Sequence, residues 1–265
     1  MNFNALLEAV RRQPEAVSVP ADWAQGRAIF GGLMAALLHE AMRAHVQDDR
    51  PVRSLAMTFV GPAEPDTPIA FEVQVLRQGR AVSTLLGRAV QNGQVVTLIQ
   101  GSFGSARTSS VEVSAMPADD IPGLDQAGPE LPYVKGVTPE FIRHVALRWA
   151  IGGMPFSNSG DRRMGGWVRL RDALDEPLTE AHVIALVDAW PPTLMSHLKR
   201  PAAGSTLTWT LDFIQPLANS SSLEWCQYCA RTEHAHDGYG HASAALWTAD
   251  GTLLAISRQT VTVFA

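Results

Sequence analysis

Two glycines stand at the head of an apolar run in "RAIFGGLMAALLHEAM" (residues 27–42). The first N–H groups of a helix have no partner inside it and carry partial positive charge, so a helix start can receive an anion or a developing oxyanion. Gly31 and Gly32, lacking side chains, would let such a group come close. They would equally let the helix pack tightly on a neighbour, and this stretch alone leaves both readings open. Arg77, Arg80 and Arg88 are positioned in sequence to meet a small anionic ligand. The tract "TEHAHDGYGHA" (232–242) gathers His234, His236, His241, Glu233 and Asp237, residue types that bind zinc. It also falls between two strand patterns, where a polar hairpin loop needs no further reason, and no metal is assigned to it. Cys226 and Cys229 are the only cysteines. Three residues apart in a strand they face opposite sides, which suits buried thiols better than a redox pair.

The bulk composition narrows the setting. A chain of 265 residues, 46% hydrophobic and 18% charged, has ample material for one large core or two smaller ones. A formal net charge of −5 lacks the basic footprint of a nucleic-acid binder. The opening "MNFNALLEAVRRQPE" mixes acidic and basic residues and does not read as a signal peptide. No apolar run reaches membrane-spanning length, so the expectation is a cytoplasmic protein without a membrane partner.

The elements that must carry these residues follow from periodicity. Residues 3–12 have helical spacing. A second helix is expected from about Gly31 to Ala44, with Phe30, Leu33, Met34, Leu37, Leu38, Ala41 and Met42 on one face and Ala35 and Ala36 on the flank. A helix this apolar must be wrapped on most sides. Four strand patterns follow, "VRSLAMTFVGPA", "IAFEVQVLRQG", "AVSTLLGRAVQNG" and "QVVTLIQGSFG", the last two joined by an Asn-Gly turn and all four expected to form an antiparallel meander. Residues 105–137, rich in Ser, Pro, Gly and Asp, read as a linker. Beyond it come strand patterns at "FIRHVALRWAI" and "GGWVRLRD". A helix follows in "LTEAHVIALVDAW", with Thr179 as N-cap and Leu178, Val183, Leu186 and Val187 apolar, and "PPT" ends it.

The first pattern then returns. "STLTWTLDFIQPLA" matches "VRSLAMTFVGPAEP", each closing with Phe-aliphatic-X-Pro, and is followed by "SLEWCQYCART", "GHASAALWTADG" and "TLLAISRQTVTVF". Pro62 and Pro216 are 154 residues apart, and the turn glycines Gly93 and Gly251 are 158 apart, the spacing of a duplicated unit. The expected α+β architecture is two tandem helix-plus-sheet units, residues 1–104 and 138–265. Their sheets would join edge to edge into one continuous sheet wrapped around two central helices, covering vulnerable strand edges.

"IFGGLMAALLHEA", "PVRSLAMTFVGPAEPDTPIAFEVQVLRQGRAVSTLLGRAVQNGQ" and "DGTLLAISRQT" together resemble the acyl-CoA thioesterase II-type, or thioesterase-like, double-hotdog superfamily over residues 25–104 and about 140–264. The resemblance implies an aspartate at the end of the second helix, a threonine on the next strand and a glutamine on the last. These fall on Asp188 in "ALVDAW", on Thr206 in "STLTWTLDFIQP", and on Gln259 in "ISRQT". Thr208 and Thr210 compete with Thr206 if the register slips by two. Two histidines that family members carry in the first strand are absent, with Arg53 and Ala56 in their places.

The implied activity is hydrolysis of an acyl-CoA thioester without cofactor or metal. Asp188 would take a proton from water or orient it, its pKa raised by an apolar pocket and the negative helix end. Thr206 and Gln259 would complete the water site, and the Gly31–Gly32 amides would receive the oxyanion. Arg80 is the candidate for the CoA phosphates. "EPLTEAH" opens the second helix without a glycine pair, so one site per chain is expected. The family resemblance further implies a homodimer or homotetramer. The alternative is a non-catalytic acyl-CoA or lipid-binding relative of the same fold. A hotdog hydratase is disfavoured, because no Gly-Asp-X-Asn-Pro-X-His-type stretch occurs.

Overall fold

A computed structural model of the chain describes residues 1–172 and 175–264. Helix α1 (Phe3–Arg12) is followed by a two-residue ladder, β1 (Ala24–Gln25) with β2 (Ala28–Ile29), and by helix α2 (Gly31–Arg43). Strands β3 (Val52–Phe59), β4 (Ala70–Gln78), β5 (Val82–Gln91) and β6 (Gln94–Gly104) complete the first half. Residues 105–137 contain no helix or strand beyond a single bridge from Glu130 to Arg148. The second half holds β7 (Val145–Ile151), β8 (Arg163–Leu170), helix α3 (Glu180–Asp188), a 3-10 turn over Thr193–His197, and strands β9 (Ala203–Phe213), β10 (Cys226–His236), β11 (Tyr239–Trp247) and β12 (Leu253–Phe264).

Among the described residues, ten strands form one antiparallel sheet in the order β4-β5-β6-β3-β9-β12-β11-β10-β8-β7. The architecture is the expected double hotdog. The first-half strands are not a plain meander, however: β3 lies beside β6, and the chain crosses from β3 to β4 through residues 60–69. The reason is visible in β3 itself. Val52, Leu55 and Met57 are buried, and placing β3 inside the sheet lets its other edge pair with β9, from Ser54↔Asp212 to Thr58↔Thr208. The β3–β9 seam is what makes the sheet continuous.

The duplication is legible in register. Leu55 pairs with Gly101 in the first half as Trp209 pairs with Gln259 in the second. Each half also carries one extra residue at the corresponding place, Arg53 on β3 and Leu207 on β9. The turns obey their chemistry: Asn92-Gly93 and Asp237-Gly238 all have positive φ, as tight two-residue hairpins require.

Helix α2 is buried from Gly32 to His39 and α3 from Ala181 to Val187, so both are enclosed as their composition demands. For α3 the burial runs all round rather than along one apolar side. Thr179 caps it as expected, its backbone N–H donating to His182 Nδ1 at 3.2 Å. The two helices run antiparallel and are pinned at both ends. At one end His39 Nε2 lies 3.1 Å from Glu180 Oε2, while Glu180 Oε1 accepts from the Val52 N–H (2.8 Å) and from Gln215 Nε2 (2.9 Å). Burial alone would raise the Glu180 pKa, but His39, the Val52 amide and Arg43 hold it below its ordinary value. The other end is the site described next.

Candidate active site

Helix α3 ends at Asp188, and its last turn delivers that carboxylate to the first turn of α2. A Cβ built on Gly31 would stand 2.9 Å from Asp188 Oδ2, and one on Gly32 would stand 2.9 Å from Asp188 Cβ and 2.5 Å from the Phe30 ring. The glycine pair therefore admits the aspartate: any side chain would occupy the same space. From β12, Gln259 reaches across and donates its Nε2 to Asp188 Oδ1 at 2.8 Å. A small part of Asp188 reaches solvent, but its carboxyl is packed among protein atoms on nearly every side. Burial pushes its pKa up to about 7, against the pull of the Gln259 amide and of the Gly32 backbone N–H, both of which favour the charged form. A carboxyl poised near neutrality is the state a general base needs at physiological pH.

Thr206 reaches the same face by a local irregularity. Side chains alternate along a strand, so residues three apart ordinarily face opposite ways. The extra residue at Leu207 breaks that alternation: Thr206 pairs with buried Val261, and Trp209 with Gln259, so all four share the inner face. Thr208 and Thr210 are exposed on the outer face. No hydrogen bond joins Thr206 to Asp188 or Gln259 among the described residues.

The structure brings together Asp188, Gln259, Gly31 and Gly32, and places Thr206 on the same concave surface. Arg80 is elsewhere. It is exposed on the β4–β5 turn, and its carbonyl accepts from Arg50. Arg50 also bonds Ser83, on a strand whose Gly87 faces Met42 near the C-terminal end of α2. A 13-residue helix is roughly 20 Å long, which sets Arg80 a helix length away from Gly31. Where the resembling family carries histidines, Arg53 donates to the Gly104 carbonyl (2.9 Å) and Ala56 faces outward.

Two aromatic residues to which the sequence assigns no catalytic role lie beside the site. Tyr228 stacks on Trp190, with ring centroids 5.3 Å apart and planes within 5°. Its phenol is held neutral far above its ordinary pKa by burial first and then by the Asp188 charge. Tyr228, Gln259, Thr193 and Ser257 line a small cavity of about 10 Å³, about the room one water needs. Trp190 directly follows the helix end, a position open to sequence reading, whereas Tyr228 inside the "CQYC" strand carries no such signal. The flanking Cys226 and Cys229 are free and buried, both thiols pushed up to about 12 chiefly by desolvation. The rings of His234, His236 and His241 stack near the β10–β11 hairpin, and no group of His, Cys, Asp and Glu among the described residues is arranged to hold a metal ion. No helix among them is long and apolar enough to cross a membrane.

Known proteins share both halves. The acyl-CoA thioesterase N-terminal domain family matches residues 19–104, and the acyl-CoA thioesterase C-terminal domain family matches residues 117–263. Acyl-CoA thioesterase 2 of Haemophilus influenzae is 22% identical over 254 residues, covering 88% of this chain and 86% of that protein. Human acyl-coenzyme A thioesterase 8 is 30% identical over 90 residues, 34% of this chain and 28% of that protein. Among solved structures, a hot dog fold protein of unknown function from Alicyclobacillus acidocaldarius superposes with a TM-score of 0.80 at 26% identity, covering 94% of this chain and 92% of its own. An acyl-CoA thioesterase II of Mycobacterium marinum gives 0.69 at 21% identity with the same coverage and shows the shared fold. With both domain families matched in order along one double hotdog, the chain belongs to the acyl-CoA thioesterases, a family of thioester hydrolases.

Proposed function

We propose that the chain hydrolyses acyl-CoA thioesters by direct attack of water, using Asp188 as general base. The observation that carries this reading is the 2.8 Å bond from Gln259 to an enclosed carboxylate poised near pH 7. Water held between Asp188, Gln259 and Thr206 attacks the thioester carbonyl carbon and gives its proton to Asp188. The carbonyl oxygen becomes an oxyanion, which the Gly31 N–H at the positive end of α2 receives, while the Gly32 N–H bonds Asp188. Collapse breaks the carbon–sulfur bond, and the leaving thiolate takes the proton back from Asp188. The products are a carboxylic acid and free CoA, and Asp188 is again ionised.

No nucleophilic serine or cysteine is needed, consistent with thiols whose ionisation is suppressed. The deciding experiment is thiol release across acyl-CoAs of increasing chain length, for the wild type and Asp188→Ala. Turnover that falls at least a hundredfold in the variant supports the mechanism. Zero turnover across the panel with intact acyl-CoA binding would leave a binding protein of the same fold.

A further inference from the structure

A second, larger opening lies along the same concave surface. A cleft of about 450 Å³ is lined by Leu194, Leu198, Ala235, Tyr239 and Val263, with His197 and Arg162 among its polar members. Its position relative to the site follows from the strands. On β12, Gln259 and Val261 line the small cavity and Val263 lines the cleft. On β10, Tyr228 and Ala230 line the cavity and Thr232 lines the cleft. The two spaces thus lie end to end, divided by a buried hydroxyl pair, Thr193 Oγ1 to Thr232 Oγ1 at 2.6 Å. At about 3.3 Å per strand residue, Val263 is roughly 13 Å beyond Gln259, the span of an extended arm rather than of a compact head group.

We propose that this cleft receives the CoA arm of the substrate, with its phosphates at the mouth beside Arg162 and the sulfur directed inward past Thr193 and Thr232. The inference rests on the hydrolase reading above and adds to it the place where the nucleotide end docks. The mouth opens to solvent, as a bulky charged nucleotide requires, whereas an acyl tail left there would keep its apolar surface wet. Its charge fits. Arg162 is exposed, and its Nη2 donates to the Glu233 backbone carbonyl (2.9 Å); no ion pair to a carboxylate occupies it among the described residues. Leu198 on the wall leads directly into exposed Lys199 and Arg200. His236 is different, since Asp237 Oδ1 sits 2.9 Å from its Nδ1, and it is assigned no phosphate. This site takes the role expected of Arg80, which the fold carries to the other end of α2.

The test is equilibrium binding of free CoA and of pantetheine, which lacks the nucleotide, measured by calorimetry on the full chain. Arg162→Glu, and separately Lys199→Glu with Arg200→Glu, should weaken CoA about tenfold and leave pantetheine within twofold. Ala235→Trp, a substitution at an exposed wall position, should weaken both ligands by filling the cleft. Equal losses for CoA and pantetheine in the charge variants, no loss in either, or unchanged binding in Ala235→Trp would each overturn the assignment. CoA bound as described by a protein that hydrolyses nothing would keep this site and reject the hydrolase reading. Hydrolysis with CoA affinity indifferent to all these variants would do the reverse.

Discussion

His39 Nε2 lies 3.1 Å from Glu180 Oε2, and these two residues stand where Asp188 and Gly31 stand in the other half of the molecule. Helices α2 and α3 open at Gly31 and Glu180, 149 residues apart, and the same step carries His39 onto Asp188. Gly101 takes the place of Gln259, and Val52 that of Thr206. The duplicated position has thus become a polar, hydrogen-bonded clasp between helices. Glu180→Ala strips His39, the Val52 N–H and Gln215 of their shared partner. The expected loss is roughly 3 kcal/mol of stability, read from the denaturation midpoint, with turnover per folded molecule retained because Asp188 lies at the far end of the helix pair.

The raised pKa of Asp188 has an energetic sign. Its folded value near 7 exceeds the unfolded 3.8, so ionisation opposes folding. The penalty is absent below about pH 3.8, grows between there and pH 7, and is constant above. Three pKa units correspond to an upper limit of about 4 kcal/mol. Asp188→Asn should therefore raise the melting temperature at pH 8 much more than at pH 4, while hydrolysis falls by orders of magnitude. Equal melting shifts at both pH values would contradict an enclosed, strained carboxylate.

The same ionisation governs rate. With Asp188 acting as base, kcat/KM of the wild type should climb with pH and level off above about 7. Gln259 favours the charged carboxylate through its 2.8 Å bond, so Gln259→Leu should move that limb to higher pH as well as lower the plateau. A plateau that falls without any displacement of the limb would mean that Gln259 does not act through Asp188.

Gly31 offers a test in which helix propensity and site geometry pull apart. Alanine in a helix is favoured over glycine by up to about 1 kcal/mol. Yet its methyl group would sit 2.9 Å from Asp188 Oδ2 and 3.3 Å from the Phe59 ring. Gly31→Ala should keep the fold and reduce turnover at least tenfold, as read by thiol release and by circular dichroism on the same sample.

Deleting Leu207 should restore regular alternation to β9 and keep Thr206 opposite Val261 on the inner face, so the deletion tests the bulge and not the hydroxyl. Thr206→Val keeps the backbone and removes the hydroxyl alone. Thr206→Val should lower kcat by about tenfold or more if the hydroxyl holds the attacking water. Activity equal to wild type in Thr206→Val would remove this residue from the proposed site.

What could be read from residues alone was local or repeated. Helix α1 over residues 3–12, α2 from Gly31, the Thr179 cap and the Asn92-Gly93 turn all rest on short-range periodicity and turn chemistry. Gln259 and Asp188, 71 residues apart, were singled out through family resemblance, and their contact then followed from the fold. The pairing of β3 with β6 is not legible in the sequence, because hydrophobic alternation specifies a face and says nothing about which neighbour supplies the ladder. Leu207 looks like any apolar strand residue, so its extra place in the register was invisible. Tyr228 cannot be picked out from sequence, because a buried tyrosine between two cysteines carries no spacing signal of its own. Arg80 shows the limit of composition: a cation on a loop is a candidate for any anion until the distance from the chemistry is known.

The ladder between β3 and β9 has a last consequence for inheritance and engineering. Severing the chain in the segment 105–137 would leave each fragment with a naked central strand, rows of amides and carbonyls seeking a mate. The separate pieces should be sticky and unstable alone, yet should recombine when mixed, because the missing partner is the other piece. A gene encoding one half by itself would thus have to supply two identical copies to make a whole, which is the ancestral state a duplicated protein of this kind implies.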